Sequence, residues 1–324
     1  MTDLFEARKN LKPYEYPQMS EYVHAIRTSF WIHKEFDFSP DVQDFKVKCT
    51  PTERSIIKRT MLAISQIEVS VKRFWADIYN YIPKPEVDAV GVTFSESEVR
   101  HSDAYSHLLD LLGLVEEFEQ VTDVPAIQDR IAYLDKYLQR DADDPKSYVR
   151  SVLLFSLFIE FVSLFSQFLI MLSFDKYDKR FKGIANAVEA TSKEEQIHGM
   201  FGAEIINIVQ DEHPEWFSDE FIEEIRNAAL KAFDAEQKVL DWIFEEGSLE
   251  FLPREVIDEF LKDKFNEGMN LIGQDALFET NDDLVAETQW FREEMIMTKG
   301  NDFFSKRGTT YSKFENTVTE DDLF

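Results

Sequence analysis

Cysteine is almost missing from this chain of 324 residues. Cys49 stands alone, so no intrachain disulfide can form, and a reducing, cytoplasmic setting is expected. Glycine and proline are scarce too, at 10 each. So few breakers, set among long periodic segments, argue against a strand-and-turn architecture and predict an all-α fold. Basic residues are outnumbered: 35 Lys and Arg face 63 Asp and Glu, giving a formal net charge of −28. Such a chain repels a phosphate backbone, so nucleic acid is not an expected partner. There is no glycine-rich phosphate loop, and the opening MTDLFEARKN lacks the apolar core of a signal peptide.

What the chain does have is one long apolar run, Val152–Phe174 (VLLFSLFIEFVSLFSQFLIMLSF). It is long enough to span a bilayer. It also carries Glu160, Gln167 and four serines, and it sits between strongly charged helices. The expectation is therefore the buried central helix of a bundle, not a membrane span. Glu160 is the only charge in the run. Desolvating a lone carboxylate costs roughly several kcal/mol. A proton, a base or a metal must compensate, and no Lys or Arg lies within a turn of Glu160.

Periodicity and punctuation predict the rest. Residues 1–19 read as irregular, followed by a short helix over about 20–29. Thr50-Pro51-Thr52-Glu53 is a capping box with proline at the first helical position, opening a helix to about Tyr81. Pro83 and Pro85 break it. Further helices are expected over about 86–112, a pair within 115–140, one from Asp144-Pro145 through Phe174, and one over 182–209. Scaffold helices follow over about 218–246, 253–272 and 281–296. Residues 1–299 read as one helical domain, and 300–324 as a flexible tail ending in an acidic-hydrophobic peptide.

The chemistry lies in Glu-x-x-His. Three residues apart on a helix, the two side chains share a face and can reach one metal ion. Acids are so common here that about one of the 6 histidines should show this spacing by chance. Three do: Glu21/His24, Glu98/His101 and Glu195/His198. The first has no partner and reads as chance. Each of the others follows a helix carrying a carboxylate in an apolar context, Glu68 before Glu98 and Glu160 before Glu195. Glu, Glu-x-x-His, Glu, Glu-x-x-His across four helices is the ligand set of ferritin-like di-iron and di-manganese bundles. Four carboxylates and two neutral imidazoles balance two divalent ions, which resolves the charge at Glu160. Oxygen-rich ligation without thiolate suits iron or manganese.

Other residues read two ways. Tyr105, one turn after His101, is either a redox-active phenol beside the metals or a buried tyrosine bonded to a ligand. Phe168 lines a dry pocket or simply fills the core. Lys72, one turn after Glu68, is a partner of a nearby carboxylate, a snorkelling surface lysine, or a cation that draws an anionic oxidant such as superoxide. Trp31 reads first as core filling.

Taken together, the chain resembles the small, radical-generating subunit of class I ribonucleotide reductase over nearly its whole length. Glu98-x-x-His101 with Tyr105 resembles that family's second ligand helix and radical tyrosine; Glu160 and Glu195-x-x-His198 resemble the later ligands. The resemblance implies that Trp31 lies on a radical-transfer path, that Tyr311 in the tail relays the radical, and that the terminal TEDDLF docks on a separate large catalytic subunit. It further implies a homodimer, activation by oxygen or superoxide, and an oxidised dinuclear cofactor that reversibly oxidises a cysteine of the large subunit for deoxyribonucleotide synthesis. No added N-terminal nucleotide-binding module is expected. Two positions depart from the family pattern. Glu68 stands where many members have Asp, which resembles branches that include manganese-containing ones and favours Mn/Mn or Mn/Fe over Fe/Fe. Glu194 stands where Asp commonly links the metals to the tryptophan. The competing readings are a ferritin-like oxidase or monooxygenase acting on a small apolar substrate, an iron-storage bundle, and a metal-free structural bundle.

Overall fold

Thr50 and Glu53 open the first long helix as the capping box requires: Glu53 N–H donates to Thr50 Oγ1 at 3.2 Å and Thr50 N–H donates to Glu53 Oε2 at 2.8 Å. The structure, a computed structural model, describes residues 3–69, 71–138 and 144–294. Its principal helices are α1 (Met19–Thr28), α2 (Pro51–Ile67), α3 (Val71–Ala76), α4 (Pro85–Leu112), α5 (Pro125–Leu138), α6 (Pro145–Asp178), α7 (Lys182–Glu212), α8 (Asp219–Ile243) and α9 (Arg254–Leu271). Among the described residues no strand forms; Leu249 and Leu252 make an isolated bridge. The expected tail, 300–324, and with it Tyr311, lies outside the described residues.

The all-α expectation holds, with differences in detail. The helix expected over 51–81 stops at Ile67. Glu68 and Val69 form a turn, Val69 N–H bonding Gln66 O at 3.3 Å, before α3 begins at Val71. Lys72 Nζ takes the Glu68 carbonyl at 2.6 Å, so a side chain serves a main-chain acceptor at the break. The central helix runs past Phe174 to Asp178, and α7 continues to Glu212. The last expected helix is two short ones, Asp282–Ala286 and Gln289–Glu294.

Helix α6 is long and apolar enough to cross a membrane, yet its most apolar window is wholly buried in the fold. Large apolar side chains buried like this contribute roughly 1.5–3 kcal/mol each. From Leu153 to Ser163 it widens into a π-helix, with Ser163 Oγ donating to Phe158 O at 2.6 Å. π-turns are rare and concentrate at functional sites; this one contains Glu160. Helix α7 packs along it at very close range. A Cβ at Gly199 would lie 2.6 Å from Phe161 Cβ, and one at Gly202 would collide with Ser156. Only glycine lets α7 approach there, and that approach sets how far Glu195 and His198 stand from Glu160. The start of α7 is held by Asp41, whose carboxylate accepts from Gly183 N–H at 3.2 Å and Ile184 N–H at 3.0 Å.

Candidate metal centre

Four elements converge in the interior. Glu68 comes from the turn after α2, Glu98 and His101 from α4, Glu160 from the π segment of α6, and Glu195 and His198 from α7. All six are buried, none above 3% exposed. They form two overlapping groups, in each of which one ligand atom per residue lies within 4.8 Å of the others: Glu68, Glu98, His101 and Glu195; and Glu98, Glu160, Glu195 and His198. Glu98 and Glu195 belong to both, the arrangement of two ion positions sharing two carboxylates. The third motif, Glu21/His24 on α1, is in neither group.

The histidines are oriented from outside. His101 Nε2 lies 2.8 Å from Glu194 Oε2, and His198 Nε2 lies 3.1 Å from Ser97 Oγ. That leaves both Nδ1 atoms facing the carboxylates: His101 Nδ1 is 3.1 Å from Glu195 Oε1, and His198 Nδ1 is 3.0 Å from Glu98 Oε1. Fixing one ring nitrogen so that the other points inward is how metal-binding histidines are commonly held. The buried side-chain atoms without a hydrogen-bond partner include Glu68 Oε2, both oxygens of Glu98, Glu160 Oε2, Glu195 Oε2 and Nδ1 of both histidines. Buried polar groups are almost always satisfied. Seven such atoms pointed at one place fit a pair of cations with carboxylate and imidazole ligands.

The electrostatics agree. Burial pushes Glu68 well above the usual carboxylate range, with Glu98 adding to it. Burial does the same to Glu160, aided by Glu195 and Glu98. Burial also works against Glu98, but His101 and His198 outweigh it and hold Glu98 down at about 2. His198 is pushed up to about 9, because Glu195 and Glu98 overcome the effect of burial. Without cations this is a set of acids that burial and mutual repulsion strain.

The neighbours form a second tier. Trp31 Nε1 donates to Glu194 Oε2 at 3.1 Å, and the Trp31 ring stacks on His101 with centroids 5.8 Å apart and planes 18° apart. Trp31, Glu194 and His101 thus make one continuous line to the cluster. Tyr105 is fully buried; burial and the charge of Glu68 push its ionisation up, so its phenol stays protonated. Lys72 Nζ bonds the Glu68 carbonyl and, at 3.0 Å, Ser102 Oγ. Phe168 is buried and packs against Phe165 at 5.6 Å, while the ring that faces His198, at 4.2 Å, is Phe94.

Three contributors were not legible in the sequence. Trp75 Nε1 donates to Glu160 Oε1 at 2.8 Å. Arg100 bonds both oxygens of Glu194. Ser97 orients His198. None of the three stands in a motif; Arg100 lies between Glu98 and His101 in sequence but off the face they share.

Residues 8–284 match the family model described as ribonucleotide reductase, small chain. The chain is 21% identical over 318 residues to the ribonucleoside-diphosphate reductase subunit beta of Treponema pallidum, an alignment covering 95% of this chain and 88% of that one. Its fold is similar to the ribonucleotide reductase R2 subunit from Clostridium botulinum, with a TM-score of 0.76 and 17% identity over 87% of this chain and 89% of the other. It is equally similar to dimanganese(II)-NrdF from Streptococcus sanguinis, with a TM-score of 0.76 and 16% identity over 88% and 99% of the two chains. At such identities these structures speak for the ferritin-like helical fold and not for a choice of metal.

Proposed function

The chain belongs to the ribonucleotide reductase small-chain family, and from that premise we propose that it is the radical-generating subunit of a ribonucleoside-diphosphate reductase, with two metal ions held by Glu68, Glu98, His101, Glu160, Glu195 and His198. The observation that carries this is the unbroken Trp31–Glu194–His101 line, which ends on the cluster. An oxidase acting on a small substrate has no need of such a line. A bound metal pair would supply a one-electron oxidant. Trp31 would be the residue to give up an electron along its stack with His101, while Glu194 keeps the Trp31 N–H and His101 Nε2 bonded on either side of its carboxylate. Manganese, as Mn/Mn or Mn/Fe, is favoured over Fe/Fe because Glu68 is a glutamate and not an aspartate.

The remaining assignments rest on the family resemblance. Residues 1–299 form the helical domain, and 300–324 dock on a large catalytic subunit in the cytoplasm, with Tyr311 relaying the radical. The chain works as a homodimer, and oxygen or superoxide activates it. Tyr105 is the phenol placed to hold the oxidant when the metals do not. Lys72 draws an anionic oxidant toward the site, and Lys72→Met should slow activation by superoxide; an unchanged rate removes that role.

The deciding experiment is metal analysis with electron paramagnetic resonance on protein from its own host, before and after oxygen or superoxide. About two ions per chain and a multiline manganese signal support a metal-based oxidant. A sharp organic radical lost in Tyr105→Phe assigns the oxidant to Tyr105 instead. Less than about one ion per chain, however loaded, overturns the dinuclear reading. Deleting residues 305–324 should abolish reductase activity with the large subunit while leaving the metals bound.

A further inference from the structure

Outside the cluster, one arginine among the described residues is completely buried. Arg130, in α5, has no exposed surface. A buried guanidinium is costly unless its donors are well used. Its carboxylate partner is close enough to pair but not hydrogen-bonded: Glu236 Oε1 lies 3.9 Å from Nη1, and Nε and Nη1 have no hydrogen-bond partner. Glu236 is held by another group, accepting from Gln167 Nε2 at 3.2 Å. Arg130 Nη2 instead donates to the main-chain carbonyl of Ala63, and it reaches Gln66 Oε1 at 3.5 Å. Both acceptors are in the last turn and a half of α2, the helix that stops at Ile67 immediately before Glu68.

A cation there satisfies carbonyls at the negative end of the helix dipole. On the far side of the break, Lys72 Nζ holds the carbonyl of Glu68 itself, and Ser95 Oγ holds the carbonyl of Lys72 at 2.9 Å. The main chain is therefore held by a cation on either side of the break, by Arg130 at the Ala63 carbonyl and by Lys72 at the Glu68 carbonyl. Glu68 is the one acid of the cluster that sits at a turn and not inside a helix, so its carboxylate depends most on such supports.

We infer that Arg130 is a positioning residue for Glu68, fixing where α2 ends and so where this carboxylate is presented to the ion shared with His101. The inference rests on the proposed metal centre, and adds to it a fifth helix that contributes no ligand.

The test is an Arg130→Met/Glu236→Met double variant. Replacing both members of a buried charge pair by apolar residues leaves neither charge uncompensated and is often neutral for stability. Full-length wild type and variant are titrated with Mn(II) against a competing chelator, and the spectra are followed by electron paramagnetic resonance. The ion held by Glu98, Glu160, Glu195 and His198 should bind as in wild type. The ion that needs Glu68 should bind roughly 10- to 100-fold more weakly, the usual cost of losing an outer support. The coupled signal should then give way to a mononuclear six-line spectrum. Arg130→Lys, which keeps a donor for the Ala63 carbonyl, should restore the second ion, and Glu236→Gln should not lose it. A folded double variant that takes up two ions at wild-type affinity overturns the inference, and so does equal weakening of both ions, which marks general loosening. If the double variant does not fold, the same titration on Arg130→Leu/Glu236→Gln, which removes the donor and leaves no unpaired charge, decides by the same criteria. A wild type that binds no second ion overturns the metal-centre reading itself, and this inference with it.

Discussion

Arg100 grips Glu194 with two parallel hydrogen bonds, Nη1 to Oε2 and Nη2 to Oε1, both 3.1 Å long. The same guanidinium bonds the Trp31 carbonyl at 3.2 Å and lies over the Phe30 ring at 4.8 Å. Burial raises the pKa of Glu194, but His101 and Arg100 outweigh it and keep the carboxylate ionised. One planar cation thus sets both the charge and the aim of the group between Trp31 and His101.

Arg100→Met should therefore cost about 3–5 kcal/mol of stability, as removing one partner of a buried ion pair does. Urea unfolding measures it. Reductase turnover should fall further than metal content does, since the ligands themselves are untouched. Unchanged stability would mean that the Glu194 charge is compensated by another group.

Glu160 predicts an opposition between stability and function. In the metal-free protein, burial and the neighbouring acids strain its ionised form. Glu160→Gln should stabilise the metal-free protein by on the order of 1 kcal/mol, as relief of a strained functional site commonly does. It should also remove the part of the stabilisation by added Mn(II) or Fe(II) that comes from the ion it holds, which for one ion reaches about 2.7 kcal/mol at a hundredfold excess over Kd. Thermal unfolding with and without metal checks both halves, and a metal-free variant less stable than wild type contradicts the first.

Trp75→Phe keeps the ring that packs edge-on against Phe94 at 5.3 Å but removes the donor to Glu160. Metal affinity should weaken by about 10- to 100-fold, with the fold retained. Competition titration reads the effect; wild-type affinity would show that the Trp75 bond is lost when metal enters.

Asp41 gives a pH dependence away from the metals. Burial outweighs the two amide bonds from Gly183 and Ile184 and lifts its carboxyl from the ordinary 3.8 to about 6. Between those values the folded chain holds a proton that the unfolded chain has released, so this group's contribution to stability falls as pH rises from about 4 to about 6 and levels off above. The stability of wild type minus that of Asp41→Asn, from urea unfolding at a series of pH values, should decline across that window. A difference that rises with pH would mean that the amide bonds, not burial, dominate.

Much of the site was legible because its strongest rules are local. A spacing of three on a helix places Glu98 with His101, and Glu195 with His198, whatever surrounds them. Glu160 announced itself as the one charge in a run that has to be buried. Glu68 was readable as a carboxylate on an apolar stripe, but the end of the helix beside it was not, since the supports at that break include Arg130, which lies in another helix more than sixty residues away in sequence.

The sequence by itself determined the helical class, the buried position of Val152–Phe174 and the order of the six candidate ligands. Composition, periodicity and the cost of burying charge act residue by residue along the chain, so these needed no partner to be read. Only the tertiary structure decided that Glu98 and Glu195 belong to both groups of the cluster, that α6 widens into a π-helix around Glu160, that Trp75, Arg100 and Ser97 bond the cluster or its neighbours from behind, and that Arg130 bonds the end of α2. Each of these depends on groups from different helices meeting within hydrogen-bond or contact distance. Such meetings are fixed by packing, as where Gly199 lets α7 close on Phe161.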